Sequence, residues 1–281
     1  MLYRTLVSAC VNVPVIGQGT WKFGENPATA GQEIEALRFG IAQGMSLLDT
    51  AEEYAKGGSE RIVGQAIEGM RDEVFLVTKV SARNCSYEGV LQAAEASLER
   101  LKTSYIDLYL QHWPSDTYEV AETMEAMAQL VRTGMIKHVG VSNFSVKLME
   151  QAQAALGDIP LACNQVAYHL NDRHIELEIW PYCREHGILV MGYSPFGYAP
   201  HVFGKPGFPA AGTPERELLE AIGAKYGKTA YQVALNWAIR LDGLISIPKA
   251  VKPEHLLDNV RSIGWELEAE DLERIELAFP R

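Results

Sequence analysis

Residues Val74 to His112 read VFLVTKVSARNCSYEGVLQAAEASLERLKTSYIDLYLQH, and two unlike periods follow one another within them. Val74 to Val80 is a short, nearly continuous apolar run, as a strand covered on both faces should be. After Ser86 the spacing changes, and Leu91, Ala94, Leu98 and Leu101 fall on one side of a helix. Ile106 to His112 is a second such run. Strand, helix and strand in this order imply parallel pairing, because two parallel strands need a long crossover between them.

The same alternation continues outward in both directions. Strand candidates precede the unit at Val15 to Gly19 and Ser46 to Thr50, and follow it at Val139 to Ser142, Cys163 to Tyr168, Ile188 to Ser194 and Leu244 to Pro248. Thr29 with Gln32 is expected to form a capping box ahead of Ile34, Leu37 and Ile41, with Gly44 as the stop signal. A second helix is expected from Ser59, burying Ile62, Val63, Ala66, Ile67 and Met70. Later helices are expected over 119–133, 145–155, 173–186, 214–226, 229–241, 253–261 and 269–277. Eight strands, each followed by a helix, favour a closed α/β (β/α)8 TIM barrel over an open sheet, since such a barrel takes about 250 residues. The alternating stretch Tyr3 to Val13, turning near Ala9 to Asn12, is expected to form an N-terminal β-hairpin across the bottom of the barrel. With no linker or repeat in view, residues 1–281 read as one domain. The Gly/Pro-rich stretch Pro195 to Pro214 reads as a large loop at the C-terminal face of the strands, where barrel active sites sit.

Charge narrows the partners. The chain carries 25 Lys and Arg against 36 Asp and Glu, a net −11, which argues against nucleic acid or an anionic membrane as a partner. No apolar run approaches the roughly 20 residues a membrane helix needs. Val7-Ser8-Ala9-Cys10 looks like a lipoprotein cleavage box, but the stretch before Cys10 is too short for a signal peptide and Arg4 interrupts it. The four cysteines, Cys10, Cys85, Cys163 and Cys183, show no Cys-x-x-Cys spacing and read as reduced packing residues. Cys163 and Cys183 with His169 and His174 fit no structural zinc pattern, so no metal is expected. A soluble, cytoplasmic, monomeric protein is the expectation.

Polar residues at the strand ends are the candidates for chemistry. Asp49 closes the second strand, Tyr54 lies just beyond it, Lys79 ends the third and His112 ends the fourth. Each taken alone is ordinary: a turn cap, a packing ring, a solvated amine, a structural imidazole beside Trp113. At adjacent strand ends they make an acid site. A free tyrosine titrates near ~10, too high for an efficient donor at neutral pH. One cation about 4 Å away, at an effective dielectric of about 20, is worth roughly 4 kcal/mol, enough to bring the phenol toward ~7. Asp49 is expected to hold Lys79, and His112 to orient a carbonyl oxygen. A hydride source is missing from this set.

Leu48-Asp49-Thr50-Ala51-Glu52-Glu53-Tyr54, running on to Ser59-Glu60-Arg61-Ile62-Val63-Gly64, resembles the first signature of the aldo-keto reductase family, and the resemblance extends from end to end of the chain. It implies Tyr54 as general acid, tuned by Lys79 and Asp49, with His112 completing a tetrad. It also implies a nicotinamide cofactor. Ser142, Asn143 and Gln165 would hold the carboxamide, and Tyr193, in a segment continued by Ser194, Pro195 and Phe196, would stack on the nicotinamide ring. Gly19, Thr20 and Asp49 would approach the cofactor, Lys22 would help its pyrophosphate, and Trp21 would line both cofactor and substrate, facing Trp113. The segment Ile247-Pro248-Lys249-Ala250-Val251-Lys252-Pro253-Glu254-His255, with Asp258 and Asn259, resembles the grip on the adenosine end and its 2′-phosphate. Ala250 and His255 stand where the family has Ser and Arg. These departures weaken two phosphate contacts, but Lys249 remains and Lys252 adds a charge, so NADPH is the expected cofactor with NADH left open, and protonation of His255 would restore a cation. The chain ends at Arg281, soon after its last expected helix, so an open pocket for small aldehydes and dicarbonyls such as methylglyoxal is expected. Two rivals remain: a nicotinamide-binding regulatory subunit with slow turnover, and a barrel hydrolase. The hydrolase needs two acids across a cleft, and only Asp49 stands at a strand end.

Overall fold

The computed structural model describes residues 1–6, 11–199 and 204–281. Strands β1 (Tyr3–Leu6) and β2 (Val11–Pro14) form the expected antiparallel hairpin, with Leu6 opposite Val11. Its expected turn, near Ala9 to Asn12, falls mostly outside the described residues. Eight parallel strands follow: β3 (Gln18–Gly19), β4 (Leu47–Asp49), β5 (Phe75–Val80), β6 (Ile106–Gln111), β7 (Ile136–Ser142), β8 (Leu161–Ala167), β9 (Leu189–Tyr193) and β10 (Leu244–Ser246). Each pairs with its neighbour in chain order. The ring closes through a parallel bridge between Ile16 and Ser246, where Gly17 N donates to Ser246 O at 2.8 Å and Ser246 N donates to Val15 O at 2.8 Å. The chain is a (β/α)8 barrel with an N-terminal hairpin.

Helices α1 (Ala30–Ala42), α2 (Gly58–Ala66), α3 (Tyr87–Leu101), α4 (Val120–Arg132), α5 (Val146–Leu156), α6 (Ile179–Glu185), α7 (Pro214–Tyr226), α8 (Ala230–Ala238), α9 (Pro253–Val260) and α10 (Ala269–Ala278) lie near their expected positions. Two expectations need correction. Thr29 does not cap α1: a short 3-10 turn, Pro27–Thr29, precedes the helix, so Thr29 already has helical dihedrals and its hydroxyl bonds Glu33 at 2.9 Å. Asn26 caps that turn instead, accepting from Ala28 N. The expected helix over 173–186 is broken into a turn at His174–Glu176 and α6. Arg173 and Glu176 are drawn into a buried network with Tyr168 and Arg240, which holds the chain away from a continuous helix.

Strand alternation sorts the core into an inside and an outside. Leu47, Val77, Leu108, Leu110, Cys163 and Met191 pack with Leu6 and Val13 of the hairpin in one cluster. Their chain neighbours Leu48, Leu76, Tyr109 and Val190 belong to the larger cluster beneath the helices. Successive side chains of a strand point to opposite faces, so the first set fills the barrel and the hairpin plugs its lower end.

Candidate active site

The same alternation carries the polar candidates to the inner face, at the upper end of the strands. Asp49 lies two residues beyond Leu47, Lys79 two beyond Val77, His112 two beyond Leu110, Gln165 two beyond Cys163 and Tyr193 two beyond Met191. The register places Ser142 opposite Gln165 and Gly19 opposite Asp49. Residues separated by more than a hundred positions thus share one mouth. Its loops are strained: five of the six non-glycine residues with positive φ among the described residues, Lys22, Ala55, Lys56, Asn143 and Ser194, sit in the segments that follow the strands. At about 1–2 kcal/mol each, such conformations persist where the surroundings impose them, and they gather at functional sites.

Lys79 is fully buried, and its ammonium is surrounded. Nζ lies 2.8 Å from Asp49 Oδ1 and 2.9 Å from Oδ2, donates to Thr50 O at 2.7 Å, and reaches Tyr54 Oη at 3.5 Å. Asp49 also accepts from Gln165 Nε2 at 2.7 Å. This geometry reverses the expected sign for the phenol. Burial pushes Tyr54 well above its ordinary value, and the carboxylates of Asp49 and Glu53 push in the same direction. The lysine charge that was expected to pull it down is largely compensated at close range by Asp49. Burial draws Lys79 itself down, against Asp49 and Glu60.

His112 stands edge-on to Tyr54, with ring centroids 5.6 Å apart. Its backbone is fixed on both sides: its N–H donates to Val80 O at 3.0 Å, and its carbonyl accepts from Asn143 Nδ2 at 3.2 Å. Glu53 Oε2 lies 3.3 Å from Nδ1, at ion-pair distance. Burial lowers the imidazole from its ordinary value, with Glu53 working against it. Beside His112, Ser81 and Arg83, Glu53 is held down at about 2 against the burial that opposes ionisation. Trp113 stacks near His112 at 6.5 Å and is exposed, while Trp21 is half-buried with Lys22 Nζ 4.8 Å from its ring centroid.

Residues expected to hold a cofactor ring this mouth. Asn143 and Gln165 present amide side chains from neighbouring strand ends, and Ser142 Oγ donates to Gln165 O at 2.8 Å. The half-buried Tyr193 donates its hydroxyl to Asn143 Oδ1 at 3.0 Å. Thr20 is buried and donates to Asp49 O at 2.8 Å, and Gly19 N donates to Pro248 O at 3.1 Å, joining the first and last strand ends. Ile247 and Pro248 are buried, whereas Lys249, Lys252 and His255 are exposed at and just before the first turn of α9. A half-buried ring bonded to one amide, a second amide at the neighbouring strand end and cations beyond the last strand are a donor set that suits a nicotinamide dinucleotide. Others of the expected set are committed elsewhere. Ala250 packs against the cluster around Val15 and Ile16, Asp258 takes bonds from Gln232, Asn259 is buried, and Phe196 packs edge-on to Phe208 and Tyr231.

Three supporting features escaped the sequence. Ser59 accepts from Thr50 Oγ1 at 2.9 Å and donates to Thr20, tying the loops after β3 and β4. Gly24 and Gly58 lock the same loops: a Cβ on Gly24, where φ is +76°, would stand 2.5 Å from the Gly58 carbonyl carbon. Glu53 reaches His112, and the only signal for it was its place immediately before Tyr54.

Residues 15–278 match the model of the aldo/keto reductase family. Methylglyoxal reductase YeaE of Escherichia coli (strain K12) is 39% identical over 273 residues, covering 97% of this chain and 93% of the relative. Among solved structures, a Klebsiella pneumoniae aldo/keto reductase in complex with NADP and acetate superposes with a TM-score of 0.89 at 38% identity, covering 99% of this chain and 95% of that one. A Klebsiella pneumoniae aldo-keto reductase in complex with NADPH gives 0.87 at 38% identity, covering 100% and 96%. With a match that takes in every strand of the barrel and the whole of its polar mouth, the chain belongs to the aldo/keto reductase family.

Proposed function

We propose that the chain reduces small aldehydes and reactive ketones, methylglyoxal and related dicarbonyls among them, to alcohols with NADPH. The observation that carries the mechanism is the buried Lys79 ammonium. It has three protons and no lone pair. Two are taken by Asp49 and Thr50 O, so the third points at Tyr54 Oη. The phenol oxygen then accepts from Lys79, and its own proton is left to point into the pocket.

A high phenol pKa suits this role. Tyr54 stays protonated at neutral pH, and the alkoxide formed on the substrate is basic enough to take its proton, since even water loses a proton only near ~15.7. When bound, NADPH supplies the hydride to the carbonyl carbon. Asn143 and Gln165 would hold its carboxamide, Tyr193 its ring, and Lys22, Lys249, Lys252 and His255 its phosphates. Tyr54 and His112 converge on the carbonyl oxygen, and Trp21 and Trp113 form the walls. The exposed Trp113 supports a pocket open to varied small carbonyls.

One domain over residues 1–281, acting as a cytoplasmic monomer, completes the reading. All candidate groups come from one chain, and Cys85, Cys163 and Cys183 are free and buried, in keeping with a reducing compartment. The test is loss of the near-ultraviolet absorbance of NADPH on adding methylglyoxal or 4-nitrobenzaldehyde. No loss with a range of small carbonyls would overturn the proposal.

A further inference from the structure

We propose that Glu53 is a positioning residue for His112: its carboxylate keeps the ring proton on Nδ1 and lets the imidazole take a second proton on Nε2, arming the site for reduction. The inference rests on the reductase reading and deepens it.

Glu53 directly precedes Tyr54 and is fixed by two donors on one oxygen. Ser81 Oγ donates to Oε1 at 2.7 Å and Arg83 Nη2 at 2.9 Å, which leaves Oε2 turned to His112 Nδ1 at 3.3 Å. Nδ1 is sealed from solvent and, among the described residues, has no partner besides the Glu53 carboxylate. A bare Nδ1 would set a lone pair against a carboxylate, so Nδ1 carries the proton. Nε2 is then the nitrogen that meets a substrate. In the neutral ring Nε2 can only accept, and it cannot donate to a carbonyl oxygen. With a second proton it donates.

Burial opposes a second proton on the ring, and Glu53 is the group that opposes burial most strongly. Lys79 opposes protonation and Asp49 favours it, but these two are paired at 2.8 Å and largely offset one another. Tyr54 is a neutral phenol. Arg83 sits on the far oxygen of Glu53, and its side chain is mostly exposed, so water screens it. Among the described residues that act on the ring, Glu53 is therefore the anion without a buried counter-charge. In the reaction, Nε2–H hydrogen-bonds the carbonyl oxygen, the hydride adds to the carbonyl carbon, and the Tyr54 proton passes to that oxygen. Tyr54 then recovers a proton from water, and His112 keeps both of its own.

The experiment is the pH profile of kcat/KM for methylglyoxal reduction in the wild type, Glu53→Gln, Glu53→Asp and Arg83→Ala. The wild type should lose activity as His112 deprotonates. Glu53→Gln keeps the shape but loses the charge, and its limb should move about one pH unit lower, a roughly tenfold loss above the limb with an unchanged acidic plateau. Glu53→Asp should keep the limb. Arg83→Ala, a surface change that leaves the fold intact, should move it upward. In His112→Gln the limb should vanish, and adding Glu53→Gln should then do nothing. Coincident limbs for the wild type, Glu53→Gln and Arg83→Ala would overturn the role of Glu53. A wild type that consumes no NADPH with any carbonyl would overturn the reductase reading instead, so the two failures are distinct.

Discussion

The Asp49–Lys79 pair can be weighed by a double-mutant cycle. Its side chains are 3% and 0% exposed, and at 2.8 Å with an effective dielectric of about 20 their attraction is roughly 6 kcal/mol before desolvation. Removing one partner of such a buried pair costs about 3–5 kcal/mol, because the other is left charged and unpaired. Asn in place of Asp49 keeps an oxygen for Gln165 Nε2 but turns an amide donor toward the ammonium. Met in place of Lys79 leaves the carboxylate with Gln165 as its one side-chain donor. Each change alone should cost about 4 kcal/mol, while the two together should cost no more than about 5, giving a coupling near 3 kcal/mol. Urea unfolding followed by both tryptophan fluorescence and far-ultraviolet circular dichroism gives the four free energies, and coincident transitions license the two-state treatment. A coupling below about 1 kcal/mol, the range of exposed pairs, would refute the view that burial makes this contact strong.

Three other outcomes follow from the same geometry. Tyr54→Phe removes the donor and keeps the ring, so kcat for methylglyoxal should fall by about 10²–10⁴ while NADPH affinity, read by fluorescence titration, stays the same. Lys249 is exposed just before α9, and Lys249→Ala should weaken NADPH binding, read as a raised dissociation constant; an unchanged constant would reject its role at the phosphates. Burial opposes the charge on Glu176, but bonds from Arg173, Tyr168 and Arg240 win and lower it from 4.5 to about 2. A depressed carboxylate stabilises the fold above its unfolded value, and that contribution is lost as pH falls toward the folded one. Glu176→Gln should therefore unfold more readily at neutral pH and lose less than the wild type between about pH 4.5 and 2, measured as melting temperature.

Much of the architecture was legible because strand parity and helical spacing are local. The runs around Leu47, Val77, Leu110 and Met191 located the strands, and counting two residues onward places Asp49, Lys79, His112 and Tyr193 on the inner face at one end. Register then brought Ser142 beside Gln165. What escaped were contacts whose outcome depends on competition. Thr29 had the sequence of a cap, but Asn26 and Pro27 started a turn earlier. Residues 173–186 had helical spacing, but Glu176 found partners on Tyr168 just before the segment and Arg240 far along the chain, and Arg173 on the carbonyl of Phe279. Nothing in the spacing singled out Glu53. Its partner His112 is distant in sequence, and no periodicity links the two.

The phenol shows most clearly why spacing alone misjudges electrostatics. Asp49, Tyr54 and Lys79 at neighbouring strand ends suggest a cation beside a phenol, and a lone cation there would stabilise a phenolate. Lys79 is not alone. With both Asp49 oxygens within 2.9 Å, the phenol faces a compensated pair, and burial raises its pKa. Lysine therefore acts by directing a proton more than by shifting a titration. The two reaction directions then separate. A phenol that stays protonated at neutral pH can give a proton to an alkoxide but cannot take one from an alcohol, so alcohol oxidation should rise steeply with pH. Reduction has no such dependence on Tyr54, and deprotonation of His112, placed beside Tyr54 at the mouth, is the expected source of a fall on the alkaline side.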